Sequence, residues 1–271
     1  MARRTVEALL EVAEQPFESC EAGVDRLVQA ARELADSRPR IGAIPGAAGR
    51  VVAAASAWRH LPPEDFRQLL REEGRAILDA RVRAGASIAI HLSAKLADAV
   101  VLTHSASATV REALLHTPPQ RVICTVSEPI GEGRAFAEDL RAEGLDVELV
   151  EDDRAPQAVV GATLLLLGAD TVFADGTLCN KVGTAALAES AAAKEIPTVV
   201  AAEIVKLAPL EASDAPDPGP AERELFELTP PELITAIVTE EGEFTPAEIA
   251  HLVDRTPFLR EGYALLQPTT A

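Results

Sequence analysis

Aromatic residues make up only 3% of this 271-residue chain. So few rings give no stacking platform for single-stranded nucleic acid. Cysteine is scarce too. Cys20, Cys124 and Cys179 are odd in number, widely separated and without metal-ligand spacing, so they read as reduced thiols of a cytoplasmic protein. Cys124, inside Val122-Ile123-Cys124, reads as a small buried hydrophobe, whereas Cys179 borders a candidate site and keeps a reactive role open. The histidines also lack ligand spacing, so no metal and no cofactor are expected. No apolar run approaches the roughly 20 residues of a membrane span, and no leader-like segment precedes the folded pattern, so a cytoplasmic location is expected. Lysine occurs at 95, 181, 194 and 206 only, and 25 basic residues face 43 acidic ones for a formal charge of −18. Diffuse acidity opposes direct contact with nucleic-acid phosphates and suits a solvated surface in a high-salt cytoplasm.

What the chain does have is core: 48% of it is hydrophobic, mostly Ala, Val and Leu. The pattern from Thr5 to about Gly85 is helical throughout, with amphipathic segments near 5–14, 21–36, 47–60 and 64–84 punctuated by prolines. After Ser87 short apolar runs alternate with helical stretches. Strands are expected at 100–103, 121–126, 147–150, 163–167 and 198–201, and helices near 107–116, 131–144, 155–160 and 181–195. This alternation predicts an α/β chain: an N-terminal helical domain, residues 1–86, followed by a Rossmann-like parallel-sheet domain, residues 87–271. The stretch "EASDAPDPGP" reads as an exposed loop, and "TPPELITAIVTEEGEFTPAEI" as a Pro-initiated helix with a final strand or turn. No internal repeat is present.

The segment "GADTVFADGTLCNKVGT" concentrates chemistry. It follows the uniformly apolar Thr163–Leu167, the pattern of a central parallel strand, and puts Asp170 at that strand's carboxyl end, where open parallel sheets keep their ligands. Asn180, Lys181 and Gly183-Thr184 then open the expected 181–195 helix, whose N-terminus would hold an anion, most simply a phosphate. Asp170 would repel that phosphate, so it reads as a proton-handling or hydroxyl-binding group; a turn-capping Asp170 and a helix-capping Asn180 fit the same residues. At the end of the first strand, "VVLTHSASATV" places His104, Ser105 and Ser107 toward the same crevice. A Ser-His-Asp hydrolase lacks its Gly-x-Ser-x-Gly elbow here, and helix capping is the plainer use of these serines. "VSEPIGEGRAFAEDL" presents Glu128, Glu132, Gly133 and Arg134 before a helix; the glycines suggest a close backbone approach, and Arg134 reads equally as an anion-binding cation or a solvated helix-start arginine. Lys206 lies just past another strand in a chain poor in Lys.

Together these residues resemble the family that unites the alpha, beta and delta subunits of translation initiation factor 2B with two sugar-phosphate isomerases. Those are methylthioribose-phosphate isomerase and archaeal ribose bisphosphate isomerase. The likeness runs through "IPGAAGRVVAAA", "VVLTHSASATV", "EPIGEGRAFAEDL", the Gly-Ala-Asp segment and "TPPELITAIVTEEG". It implies a helical domain on a Rossmann-like domain, a homodimer or higher homo-oligomer, and an Asp–Cys pair that converts an aldose phosphate to a ketose. Asp170 matches the catalytic Asp, Asn180-Lys181 the sugar-phosphate pair, and Lys206 a further phosphate lysine. An Arg-Gly-Ala phosphate loop is matched by Pro45-Gly46-Ala47, without the arginine. Ser105 stands where the catalytic Cys is expected, and Glu128-Pro129 where Arg-Pro is expected.

A thiol with a pKa near 8.5 makes a usable base, whereas a serine hydroxyl needs a partner. Loss of such a group costs on the order of 10²–10⁴ in rate, although His104 stays available as a substitute base. The expectation is therefore a regulatory protein that binds a sugar phosphate or nucleoside monophosphate without turnover and contacts initiation factor 2. A divergent isomerase using Ser105 or His104 is the alternative. A purely structural protein with a vestigial pocket is the third reading.

Overall fold

A computed structural model describes residues 1–267. Four helices come first: α1 (Ala2–Glu14), α2 (Cys20–Ser37), α3 (Ala43–Ala57) and α4 (Pro63–Leu96). Helical spacing buries Val6, Leu9 and Ala13 of α1 against Val24, Leu27 and Ala31 of α2. Ser19 caps α2 by accepting from Ala22 N–H at 3.2 Å. α4 starts on Pro63 with Glu64 and Asp65 in its first turn, which satisfies the helix dipole. It then runs unbroken past residue 86 to Leu96, because Ile88, Ala89, Leu92 and Leu96 continue a buried stripe onto the sheet. Gly85 does not stop the helix; it is the point where Glu112 packs against it.

Strands and helices then alternate: β1 (Val100–Thr103), α5 (Ala108–His116), β2 (Arg121–Thr125), α6 (Glu132–Ala142), β3 (Val147–Val150), α7 (Ala155–Ala158) and β4 (Leu164–Leu167). Next come β5 (Thr171–Phe173), β6 (Leu178–Lys181), α8 (Thr184–Ala192), β7 (Thr198–Ala201), β8 (Leu207–Ala208), α9 (Gly219–Arg223) and β9 (Phe226–Thr229). The described chain closes with β10 (Ala236–Thr239), β11 (Gly242–Phe244), α10 (Ile249–Asp254) and α11 (Pro257–Leu266).

The main sheet has the order β11-β10-β7-β4-β1-β2-β3, parallel except for β11. β4 and β7 are fully buried along their length, as strands covered by helices on both faces must be. The order reverses between β1 and β4, so a crevice opens beyond their carboxyl ends.

Three features depart from the expected layout. A second sheet, β8-β5-β6-β9, grows out of the segment after β4. Lys181 therefore ends a strand, and its helix begins only at Thr184. The signal was present: Asp175-Gly176 makes the turn between β5 and β6, with Gly176 at φ +82° and Asp175 accepting from Thr177 N–H. Third, "TPPELIT" forms a single turn, and β10, β11, α10 and α11 follow it. α11 returns to α3, where Gly262 and Gly49 meet backbone to backbone.

Candidate functional site

A cavity of about 430 Å³ opens at the β1/β4 switch point. Each wall comes from the end of an element. After β1, His104 to Ala108 lead into α5; after β4, Gly168 to Asp170 lead into the second sheet; Asn180 and Lys181 end β6; Lys206 follows β7. Asp170, Ser105, His104, Asn180, Lys181 and Lys206 thus line one space.

Asp170 is pinned by its backbone, with N–H donating to Cys179 O at 3.1 Å and C=O accepting from Gly42 N–H at 3.0 Å. Burial pushes its carboxyl up to about 6, with Lys206 pulling the other way and Glu132 adding to the rise. An acid poised there exchanges a proton near neutral pH or accepts a hydroxyl when ionised. Lys181 is buried, and its ammonium lies 3.2 Å from the Glu132 carboxylate. Asn180 donates to Thr184 Oγ1 at 3.1 Å. Lys206 has no salt bridge among the described residues.

The two groups weighed as bases are both engaged. His104 Nε2 donates to Val182 O at 2.7 Å, which leaves Nδ1 to accept from Thr125 Oγ1 at 2.6 Å. Burial also lowers the His104 pKa, so the ring is a neutral strut rather than a free base. Ser105 has φ +65°, a left-handed conformation that costs a non-glycine residue about 1–3 kcal/mol. Ser127 Oγ secures it by accepting from Ser105 N–H at 2.7 Å. Ser105 Oγ donates to Glu132 Oε1 at 2.6 Å.

Four residues expected to bind ligand lie outside the lining. Gly46 and Ala47 are buried inside α3, which starts earlier than its pattern suggested. Gly46 N–H is spent on Gly42 O at 2.9 Å, and a Cβ there would overlap the Val205 carbonyl. These positions pack α3 against the turn that carries Lys206. Gly133 packs against the Thr125 carbonyl in the same way. Arg134 is an exposed residue paired with Glu128 and Glu151. The helix terminus also differs from the expected one. α8's is closed, since Glu227 accepts from Ala185 N–H at 2.8 Å. The terminus facing the cavity belongs to α5, whose Ser107 accepts from Val110 N–H at 3.3 Å.

Two charged wall side chains were not put forward as site residues from the sequence, Glu132 and Arg38. The only hint of Glu132 was its place in the helix-opening "GEGR"; Arg38 follows the end of α2 beside Pro39 and gave none. Cys124 and Cys179 are buried, which pushes both thiols up to about 12, so neither is a nucleophile. No group of His, Cys, Asp or Glu suited to a metal ion occurs among the described residues. No described helix is long and apolar enough to cross a membrane.

The sequence profile of the Initiation factor 2 subunit family matches residues 1–223. The chain belongs to that family. It is 31% identical to the eIF-2B subunit 2-like protein of Pyrococcus furiosus over 263 residues, covering 91% of this chain and 90% of that one. It is 29% identical to the ribose 1,5-bisphosphate isomerase of Haloferax volcanii over 248 residues, covering 82% and 76%. Among solved structures, the eIF-2B of Pyrococcus horikoshii superposes with a TM-score of 0.76 at 26% identity, covering 90% of each chain. The family therefore includes both initiation-factor-like proteins and sugar-phosphate isomerases, and the Rossmann-like fold is common to them.

Proposed function

We propose that this chain is an initiation-factor-2B-like regulatory protein that holds a sugar phosphate or nucleoside monophosphate without turning it over. It acts as a homo-oligomer in the cytoplasm and contacts initiation factor 2. One observation carries the reading. Asp170, Asn180, Lys181 and Lys206 share a cavity, while His104 has both ring nitrogens occupied and Ser105 has its hydroxyl proton committed to Glu132. Groups suited to a phosphorylated ligand line the cavity, and the two groups at the thiol's position are engaged in hydrogen bonds, which supports holding over turnover.

Thermal stability with and without ribose 5-phosphate or adenosine 5′-monophosphate tests the binding half. At least one ligand is expected to stabilise the protein, and Lys206→Met should weaken its affinity about 10–100-fold, the range for a lost charged hydrogen bond to phosphate. No stabilisation by either would leave a vestigial pocket as the better account.

An isomerase remains the second reading, and a specific contact favours it. The 2.6 Å Ser105–Glu132 hydrogen bond gives the serine the partner it needs, in the cavity that Asp170 also lines with a carboxyl whose pKa burial raises. Proton transfer from C2 of an open aldose through Ser105 to Glu132, with Asp170 protonating the C1 oxygen, would balance as an enediol step.

A further inference from the structure

The cavity contains an anion of its own, built in by three elements. Glu132 opens α6 behind Gly131, a glycine at φ +73°. One carboxylate oxygen accepts from Ser105 at the end of β1, and the carboxylate lies 3.2 Å from Lys181 at the end of β6. Lys181 is only 3% exposed, so its countercharge is already supplied by the protein. Lys206 and Arg38 line the same space and form no salt bridge among the described residues. The lining charges are therefore unequal. Around the neutralised Glu132–Lys181 pair, Ser105, Asn180 and a carboxylate make a set that recognises hydroxyls. Lys206, whose charge also acts on Asp170, and Arg38 are the lining cations that no salt bridge engages among the described residues.

We infer that Glu132 sets the charge of the ligand: the cavity accepts a phosphate at Lys206 and Arg38, presents hydroxyl-binding groups at Glu132 and Lys181, and so selects sugar monophosphates over bisphosphates. The inference rests on the ligand-binding reading above. A second phosphate that turned to Lys181 would have to face Glu132 at close range or displace it from a buried lysine, and like charges brought together in a site suppress the wrong ligand strongly.

Titration calorimetry with ribose 5-phosphate and ribose 1,5-bisphosphate decides it. The wild type should bind the monophosphate at least about tenfold more tightly, and Glu132→Gln should erase or reverse that preference. The preference should also shrink as salt is raised, because repulsion between charges is screened. This second measurement needs no variant and decides the matter if Glu132→Gln fails to fold. Equal or tighter binding of the bisphosphate by the wild type overturns the inference, as does a preference indifferent to both salt and the substitution. Failure of both sugars to bind wild type and variant alike would instead remove the ligand reading itself, and the inference with it.

Discussion

Asp170 is an acid held where water is scarce, and its energetics can be checked apart from any ligand. Its proton is retained up to a pH of about 6 against 3.8 for an ordinary aspartate. A group whose folded pKa is raised stabilises the native state below the unfolded pKa, and that stability drains away as pH climbs through the folded one. The difference corresponds to about 3 kcal/mol, present below pH 4 and gone above roughly pH 7. Asp170→Asn should therefore stabilise the protein by up to about 3 kcal/mol at pH 8 and leave it nearly unchanged at pH 4, measured by urea unfolding at the two values. A destabilised variant at pH 8 would mean that the carboxylate is paired rather than stranded. Lys181 and Lys206 could be read from the sequence as wall residues because lysine is scarce here, and Asp170 because it comes just after the buried β4. Glu132 and Arg38 could not, because an acid at a helix start and an arginine beside a proline read as ordinary surface residues; Arg38 is indeed exposed while lining the cavity.

At the scale of elements, glycines proved the least readable residues. Gly46 and Gly133 look like ligand-approach glycines, yet each lets a helix close on a neighbouring carbonyl, Val205 O and Thr125 O. The role of α3 is indirect: it holds the Ile204–Lys206 turn, which Glu240 also holds by accepting from Ile204 N–H at 2.9 Å. Gly46→Ala should cost about 1–3 kcal/mol through the overlap with Val205 and weaken ribose 5-phosphate binding by displacing Lys206. Unfolding and binding curves identical to wild type would show that the turn is free of α3. The alternation of strands and helices, by contrast, was legible from β1 through β4, because each run of four or five residues, mostly apolar and rich in β-branched or Leu side chains, is too short for a helix. The second sheet was not. β5, β6, β8 and β9 are two to four residues long and their pairing is largely non-local, so periodicity had nothing to register.

The whole molecule places its candidate site where the strand order reverses, and membership of the Initiation factor 2 subunit family agrees with that architecture. The family spans ligand-converting and factor-like proteins, so the fold alone does not choose between them. The choice falls to the few groups at the ends of β1, β4 and β6. The most direct measurement is phosphorus-31 NMR of the purified protein mixed with methylthioribose 1-phosphate or ribose 5-phosphate in excess. The account predicts a ligand resonance broadened by binding and no ketose phosphate signal after prolonged incubation. A ketose signal that grows with the wild type and vanishes with Asp170→Asn would contradict it.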